Sequence, residues 1–98
     1  MNVEVLRAAE AELSEAVAYY DLQRDGLGSE LVDAFDEAMR RVLDFPEAWS
    51  KTVRCCIFKR FEYGIIYTIC NETIFVLAVM HLKRRPGYWK KRLREIPD

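Results

Sequence analysis

The sequence predicts an α+β fold, in which a short N-terminal strand and a helical hairpin precede an antiparallel sheet of three further strands and a short basic C-terminal tail. Apolar residues recur with helical spacing before Pro46, and β-branched and aromatic residues form compact runs after it. The chain has 98 residues, and a chain of this length buries one core. We therefore expect residues 1–98 to form a single domain with the helices on one face of the sheet.

Two different periodicities predict the first strand and the first helix. Val3 and Val5 alternate with polar neighbours, so residues 2–6 suit a short edge strand. Residues 8–24 then follow a helical period. The predicted inner face holds Leu13, Ala16, Val17 and Tyr20, and the rest of the helix surface holds Glu10, Glu12, Glu15 and Asp21.

The second helix is predicted to begin after a break at residues 25–28, which read Asp-Gly-Leu-Gly. Asp25 or Ser29 is expected to cap it. Its inner face follows steps of four and three residues through Leu31, Phe35, Ala38, Val42 and Phe45. Pro46 ends this helix, because proline donates no backbone hydrogen bond and disfavours helix in the residue before it.

The second half of the chain predicts three strands, at residues 53–58, 65–70 and 73–80. Asn71 and Glu72 form a two-residue joint of the kind that closes a hairpin. No polar residue interrupts the run from 74 to 80, which indicates a central strand covered on both faces for part of its length. Residues 88–96 suit one or two basic helical turns.

Composition disfavours several classes of protein. The longest apolar run, within residues 73–82, is far shorter than the roughly 20 residues of a membrane-spanning helix. The first residues lack the basic and apolar segments of a signal peptide, so a cytoplasmic location is expected. Cys55, Cys56 and Cys70 form no C-x-x-C pair. We therefore expect neither a metal site nor a cofactor, and thiols that stay free in a reducing compartment.

Charge is divided unevenly between the two halves of the chain. Residues 1–50 hold twelve acidic and four basic side chains, for a net charge of −8, and residues 51–98 hold four acidic and eleven basic ones, for +7. Such a division is typical of a chain whose basic half binds an acidic or polyanionic partner. It also fits two halves that neutralise each other within one domain.

Two stretches of the second half carry a family resemblance. One is Phe61-x-Tyr63-x-Ile65-x-Tyr67. The other is Ala78-Val79-x-His81-x-x-Arg84-Arg85-Pro86-x-Tyr88-Trp89-x-x-Arg92. After a helical hairpin, they resemble the RelE/ParE superfamily, nearer the ParE or plasmid stabilisation branch. The resemblance implies a toxin of a type II toxin–antitoxin system that a cognate antitoxin neutralises.

The resemblance leaves three functions open. ParE-like members inhibit DNA gyrase, RelE-like members cut messenger RNA on the ribosome, and a degenerate member would be kept for antitoxin binding. The ribonuclease branch tends to carry Gly-Lys-Arg after the last strand. An ungapped alignment on Tyr88 places Leu82 at the position of that arginine, which favours the ParE-like reading.

Candidate catalytic residues follow from the ribonuclease alternative alone. Metal-free RNA cleavage needs a general base, a general acid and cations around the phosphate. His81 would act as base or acid, Arg84 or Arg85 would stabilise the phosphate, and Tyr88 would stack on a base or transfer a proton. In the structural alternative, His81 is a hydrogen-bonding group at a strand end, and Tyr88 fixes the tail to the sheet.

The candidate partner-binding residues are basic or aromatic and lie in the second half of the chain: Arg54, Lys59, Arg60, Lys83, Trp89 and Arg92. Their expected partners are the antitoxin and either DNA gyrase or the ribosome. Free DNA is not expected to bind directly, because the basic residues lack an accompanying platform of stacking aromatic side chains.

Overall fold

The computed structural model describes residues 1–47 and 53–97. The elements are β1 at Asn2–Val5, α1 at Arg7–Gln23, α2 at Leu27–Asp44, β2 at Val53–Ile57, β3 at Tyr63–Cys70, β4 at Thr73–His81 and a 3-10 helix at Lys90–Glu95. Their order confirms the α+β fold class predicted from the sequence. The predicted basic helical turns of the tail take the form of the 3-10 helix.

The four strands form one mixed sheet in the order β1-β4-β3-β2. The last three strands pair antiparallel, as predicted, whereas β1 lies parallel to β4. Parallel neighbours need a long crossover connection, which the helical hairpin and the two intervening strands provide. Because β4 lies between β1 and β3, its residues 74–79 are buried, which confirms the predicted central strand.

A β-bulge in β4 changes the direction in which its side chains point. Ile66 pairs with Ala78 and Tyr67 pairs with Val76, so Leu77 has no partner residue on β3. Val76 belongs to the core beneath the helices, while Leu77 and Ala78 both belong to a second apolar cluster. The bulge therefore shifts the alternation of β4 by one residue beside the end of β1.

The sheet is covered on both faces. The core beneath the helices contains Ala9, Ala16, Leu31, Ala38, Val42, Phe58, Ile65, Tyr67, Ile74, Val76 and Val79. The second cluster contains Leu6, Ile66, Leu77 and Ala78, against which Tyr88, Trp89 and Ile96 pack. The C-terminal tail therefore covers one face of the sheet, and the helices cover the other face.

Phe45 does not join the core, and its predicted place on the inner face of α2 was wrong. Its side chain is 70% exposed. The helix ends at Asp44, and Phe45 has φ −135° and ψ 63°, outside the helical region. The spacing of three and four residues places a side chain on the inner face only while the backbone is helical. It therefore holds through Val42 and fails at Phe45, which lies past the end of the helix.

The start of α2 also differs from the prediction. Its N-cap is Gly26, at φ +85°, and the N-cap has no side-chain hydrogen bond. The expected caps, Asp25 and Ser29, are replaced by Asp21, whose Oδ1 accepts the Gly28 N–H at 2.8 Å. A side chain from the end of α1 therefore satisfies one of the free N–H groups at the start of α2.

In the β3–β4 turn, Glu72 has a backbone conformation that glutamate disfavours. Asn71 and Glu72 both have positive φ, at 50° and 61°, and they join Cys70 to its register partner Thr73. Asparagine tolerates this region, but a Cβ-bearing residue such as glutamate is held there at a cost of roughly 1 kcal/mol or more.

We expect Glu72→Gly to raise the free energy of unfolding by roughly 1 kcal/mol, since glycine adopts positive φ without steric cost. Chemical denaturation of the two proteins measures the difference. Glu72→Ala is the matched control, because it removes the same charge but retains Cβ. An equal gain from both substitutions would contradict the strained turn as its cause.

No helix in residues 1–47 or 53–97 combines the length and the apolar character needed to cross a membrane.

Candidate functional site

The tail is joined to α1 by four polar side chains, Glu12, Arg84, Tyr88 and Arg92, which we call the Glu12 cluster. Arg92 donates from Nη1 to Oε1 of Glu12 at 2.8 Å and from Nη2 to Oε2 at 3.0 Å. The Tyr88 hydroxyl donates to Oε2 at 2.7 Å, and Arg84 Nη1 does so at 3.3 Å. The Glu12 side chain is 11% exposed and that of Arg92 is 17% exposed. Water is thus largely excluded from this two-point ion pair.

The cluster lies beside the part of β4 that extends past the end of β1. β1 pairs with β4 as far as Val76. Beyond that point the Val79 N–H donates to Oε1 of Glu12 at 3.1 Å, and the Leu77 carbonyl accepts from Nη1 of Arg92 at 2.9 Å. Unpaired backbone groups away from water are costly. Glu12 and Arg92 therefore replace the ladder partners that a longer β1 would have supplied.

Hydrogen bonds fix the protonation states within the cluster. Burial acts to raise the pKa of Glu12, but hydrogen bonds from Arg92, Tyr88 and the Val79 N–H outweigh it, so its pKa lies below the usual 4.5. Burial and then the hydrogen bond to Glu12 raise the pKa of Tyr88 well above its usual 10. The hydrogen bond to Glu12 raises the pKa of Arg92. At neutral pH these groups are a carboxylate, a neutral phenol and a guanidinium.

Arg84 forms the solvent-facing side of the cluster. Its Cζ lies 3.8 Å from the centroid of the Tyr88 ring, and the Cζ of Arg92 lies 5.2 Å from it. Both are cation–π distances. The Arg84 side chain remains 53% exposed. Two guanidinium groups face one carboxylate, which leaves the cluster with a net positive charge.

His81 occupies a different environment. Its Nδ1 accepts the Lys83 N–H at 3.0 Å, and its ring meets the Tyr63 ring edge-on at 5.0 Å between centroids. It lines a shallow groove of about 510 Å³ together with Tyr19, Tyr20, Gln23 and Tyr63. Among the described residues, no hydrogen bond connects the imidazole to the Glu12 cluster.

The four residues predicted for the ribonuclease alternative do not form one group. Arg84 and Tyr88 lie together against Glu12, and both donate a hydrogen bond to its Oε2. His81 lies in the aromatic groove. Arg85 is exposed and makes no ion pair within residues 1–47 and 53–97. The same described ranges contain no grouping of three or more His, Cys, Asp or Glu side chains suited to a metal ion.

Comparison with known proteins identifies the family. A model of the ParE toxin of the type II toxin–antitoxin system parDE matches residues 3–86. The chain belongs to the ParE toxin family. A chain from the chromosomal ParDE toxin–antitoxin system of P. aeruginosa has a similar fold, with a TM-score of 0.64 and 14% identity over 85% of this chain and 97% of that chain. No curated protein matches the chain by sequence. The resemblance to the RelE/ParE superfamily is thereby confirmed.

The ParE family model matches only two of the four residues of the Glu12 cluster. It includes Glu12 and Arg84, as well as His81 and Arg85, but it ends at residue 86. Tyr88 and Arg92 lie beyond that limit, in the tail. Half of the cluster therefore belongs to a segment that the ParE family model does not match.

Two partner-binding candidates of this ParE chain lie after β2 and pair with acidic residues of α2. Arg60 Nη2 lies 2.6 Å from Oε1 of Glu30, and Lys59 Nζ lies 3.8 Å from Oε2 of Glu37. Both basic side chains are mostly exposed. Exposed pairs of this kind contribute little stability, so Lys59 and Arg60 remain accessible to a partner.

The other four candidates lie in four different settings. Arg54 is within β2, and Lys83 pairs with Glu62 at 3.5 Å. Trp89 packs against the second apolar cluster, and Arg92 belongs to the Glu12 cluster. Trp89 and Arg92 are therefore held within the fold. Lys59, Arg60 and Lys83 lie in exposed ion pairs.

Ion pairs join the acidic and basic halves of the chain. Of the seven salt bridges between described residues, four connect a side chain before residue 50 to one after it: Lys59–Glu37, Arg60–Glu30, Arg84–Glu12 and Arg92–Glu12. Mutual neutralisation, one of the two predicted explanations, therefore accounts for part of the charge division. Four exposed bases of the C-terminal segment, Arg85, Lys90, Lys91 and Arg94, have no ion pair among the described residues.

Glu12 is the site residue that the sequence did not reveal. The helical pattern assigned it to the outward-facing acids of α1, whereas its carboxylate is buried against the tail. One signal was present: Glu12 is three residues after Ala9 and four before Ala16, both buried. A residue so spaced borders the inner face of a helix, although nothing in the spacing indicates which partner it meets.

Proposed function

We propose that this ParE family member is the toxin of a type II toxin–antitoxin pair, that it inhibits DNA gyrase without being an enzyme itself, and that a cognate antitoxin neutralises it. The observation that carries the proposal is the family match over residues 3–86. The shared fold with a chain of a ParDE system agrees with it.

The arrangement of the candidate catalytic residues supports gyrase inhibition over RNA cleavage. The Tyr88 hydroxyl donates a hydrogen bond to Glu12, and its pKa is raised, so it stays protonated and is a poor general base at neutral pH. Arg84 and Arg92 already bind a carboxylate. His81 lies in the aromatic groove, hydrogen-bonded to backbone. A phosphate bound to these arginines would first have to displace Glu12.

The exposed charge of the tail supports an acidic partner. Arg85, Lys90, Lys91 and Arg94 are exposed and have no ion pair with another described residue. An acidic antitoxin segment that folds as it binds would neutralise them. Electrostatic attraction of this kind also accelerates association, which suits a partner that must capture a newly made toxin.

Inducible expression in bacteria tests the proposal. We expect growth arrest with gyrase-dependent DNA breaks and intact messenger RNA, and restored growth when the neighbouring reading frame is coexpressed. His81→Ala should arrest growth to the same extent as the unchanged protein, because no role in the mechanism is assigned to it. The purified pair should stay together on a sizing column at micromolar concentration.

Three outcomes would contradict parts of this proposal separately. Transcripts cut in phase with codons, with loss of cutting in His81→Ala, would identify a ribonuclease. Normal growth with soluble, folded toxin would identify a degenerate member. Separation of the pair on the column would remove the proposed antitoxin.

A further inference from the structure

The Glu12 cluster has the donor set of an anion-binding site, and the chain itself provides the anion. Two guanidinium groups, one phenol and the Val79 N–H all point at the two oxygens of one carboxylate. We propose that Arg84, Tyr88 and Arg92 form a phosphate-type oxyanion site that the side chain of Glu12 occupies. Glu12 thereby keeps phosphate groups, including those of RNA, away from these residues.

The charge of the cluster suits an anion more negative than a carboxylate. Glu12 brings one negative charge against the two positive charges of Arg84 and Arg92. Guanidinium groups bind carboxylates and phosphates through the same two-point geometry. A phosphate dianion would balance the charge that Glu12 leaves uncompensated and would accept hydrogen bonds with more oxygens than Glu12 provides.

The donors are held in place by contacts that do not involve Glu12. Tyr88 packs against the second apolar cluster, and Trp89 anchors the tail beside it. Arg92 Nη1 also donates to the Leu77 carbonyl at 2.9 Å, and Arg84 stacks on the Tyr88 ring. A site whose donors are fixed independently of its occupant is prepared to bind another anion when that occupant is removed.

Arg84, Tyr88 and Arg92 would suit contact with RNA phosphates, but the chain's own carboxylate occupies them, and the proposed function does not require RNA. Glu12 is attached to the same molecule, so a free phosphate must compete with an intramolecular ligand. The anion site does not depend on the gyrase proposal. Its test measures protein stability in solution, so the two can fail separately.

Anion rescue of Glu12→Ala tests the site. The substitution removes the carboxylate and the hydrogen bonds that the donors make to it. Sodium phosphate or sodium formate should then raise the melting temperature of the variant, relative to sodium chloride at the same ionic strength. An anion at about 100 times its dissociation constant should raise it by roughly 15 °C. The unchanged protein should show no such difference, because Glu12 fills the site.

Two matched double variants identify the donors. Glu12→Ala with Arg92→Ala should lose the rescue, since the two-point donor is gone. Glu12→Ala with Arg94→Ala should keep it, because Arg94 is an exposed base of the same helix outside the cluster. If Glu12→Ala is unfolded in chloride, the same comparison is made as recovery of the folded circular dichroism spectrum on addition of each anion.

Each possible outcome either supports the anion site or overturns it. Rescue by phosphate that requires Arg92 supports the site. Rescue by formate alone would overturn the phosphate class, because the site would then accept only a carboxylate. Absence of rescue by either anion, or equal stabilisation of the variant that lacks Arg92, would overturn the site itself.

Discussion

Glu12→Ala is expected to lower the free energy of unfolding by about 3 kcal/mol, the largest effect of any single substitution considered for this chain. The substitution leaves Arg92 largely buried without its carboxylate, and it removes the acceptor of the Val79 N–H. Removing one partner of a buried ion pair lowers the free energy of unfolding by about 3–5 kcal/mol. A value near about 3 kcal/mol is expected here, because Arg84 leaves one side of the cluster exposed to solvent. In a domain of this size the melting temperature should fall by roughly 15 °C.

Glu15→Ala is the matched control for that prediction. Glu15 lies on the same helix, is exposed and has no ion pair with a described residue. Its replacement should change the free energy of unfolding by about 0.5 kcal/mol or less. Equal losses from the two substitutions would show that helix charge, and not the cluster, determines the result.

The pH dependence of the Glu12 effect gives a second measurement. Because the pKa of Glu12 in the folded protein lies below its usual 4.5, the ion pair stabilises the fold fully above that value. The contribution is lost as the pH falls through the lowered pKa. The stability difference between the unchanged protein and Glu12→Gln should thus be constant near neutral pH and shrink in acid. A difference that grows in acid would contradict the lowered pKa.

The order and type of the elements could be predicted because each depends on local pattern. The steps of three and four from Leu31 to Val42 define a buried helix face, and the uninterrupted run after Thr73 defines a central strand. The turn at Asn71 and Glu72 closes the hairpin between its two strands. These features are determined by neighbours in sequence, so no tertiary information was needed.

Features that depend on partners distant in sequence could not be predicted. The parallel pairing of β1 with β4 joins residues about seventy positions apart, from Asn2 with Thr73 to Val5 with Val76. Asp21, which caps α2, is only seven residues before Gly28, but its carboxylate reaches the Gly28 N–H through the packing of one helix against the other. Local capping rules consider only the adjacent residues.

The same distinction applies to the candidate site. The sequence indicated Arg84, Tyr88 and Arg92 as side chains of interest, since they follow one another in a basic tail. It could not indicate the carboxylate on which they converge, because Glu12 lies 72 to 80 positions earlier in the chain. His81 was grouped with them by proximity in sequence, but the end of β4 directs its ring to the aromatic groove.

Gly28 lies in close contact with α1, and this contact leads to the second large expected effect. A Cβ at this position would lie 2.7 Å from the Val17 carbonyl oxygen and 2.7 Å from Oδ1 of Asp21. Alanine in a helix normally stabilises relative to glycine by up to about 1 kcal/mol. Here the contact with a backbone oxygen outweighs that gain, because the two helices must separate to relieve it.

We expect Gly28→Ala to lower the free energy of unfolding by about 2 kcal/mol, as measured by chemical denaturation. Ser29→Ala is the matched control: Ser29 is exposed and is not the cap of α2, so its loss should be nearly neutral. Adding Asp21→Ala to Gly28→Ala should restore little stability, since the Val17 carbonyl remains in the way. Full recovery in that double variant would instead identify the Asp21 side chain as the sole obstacle and would leave the helices free to accept a larger residue.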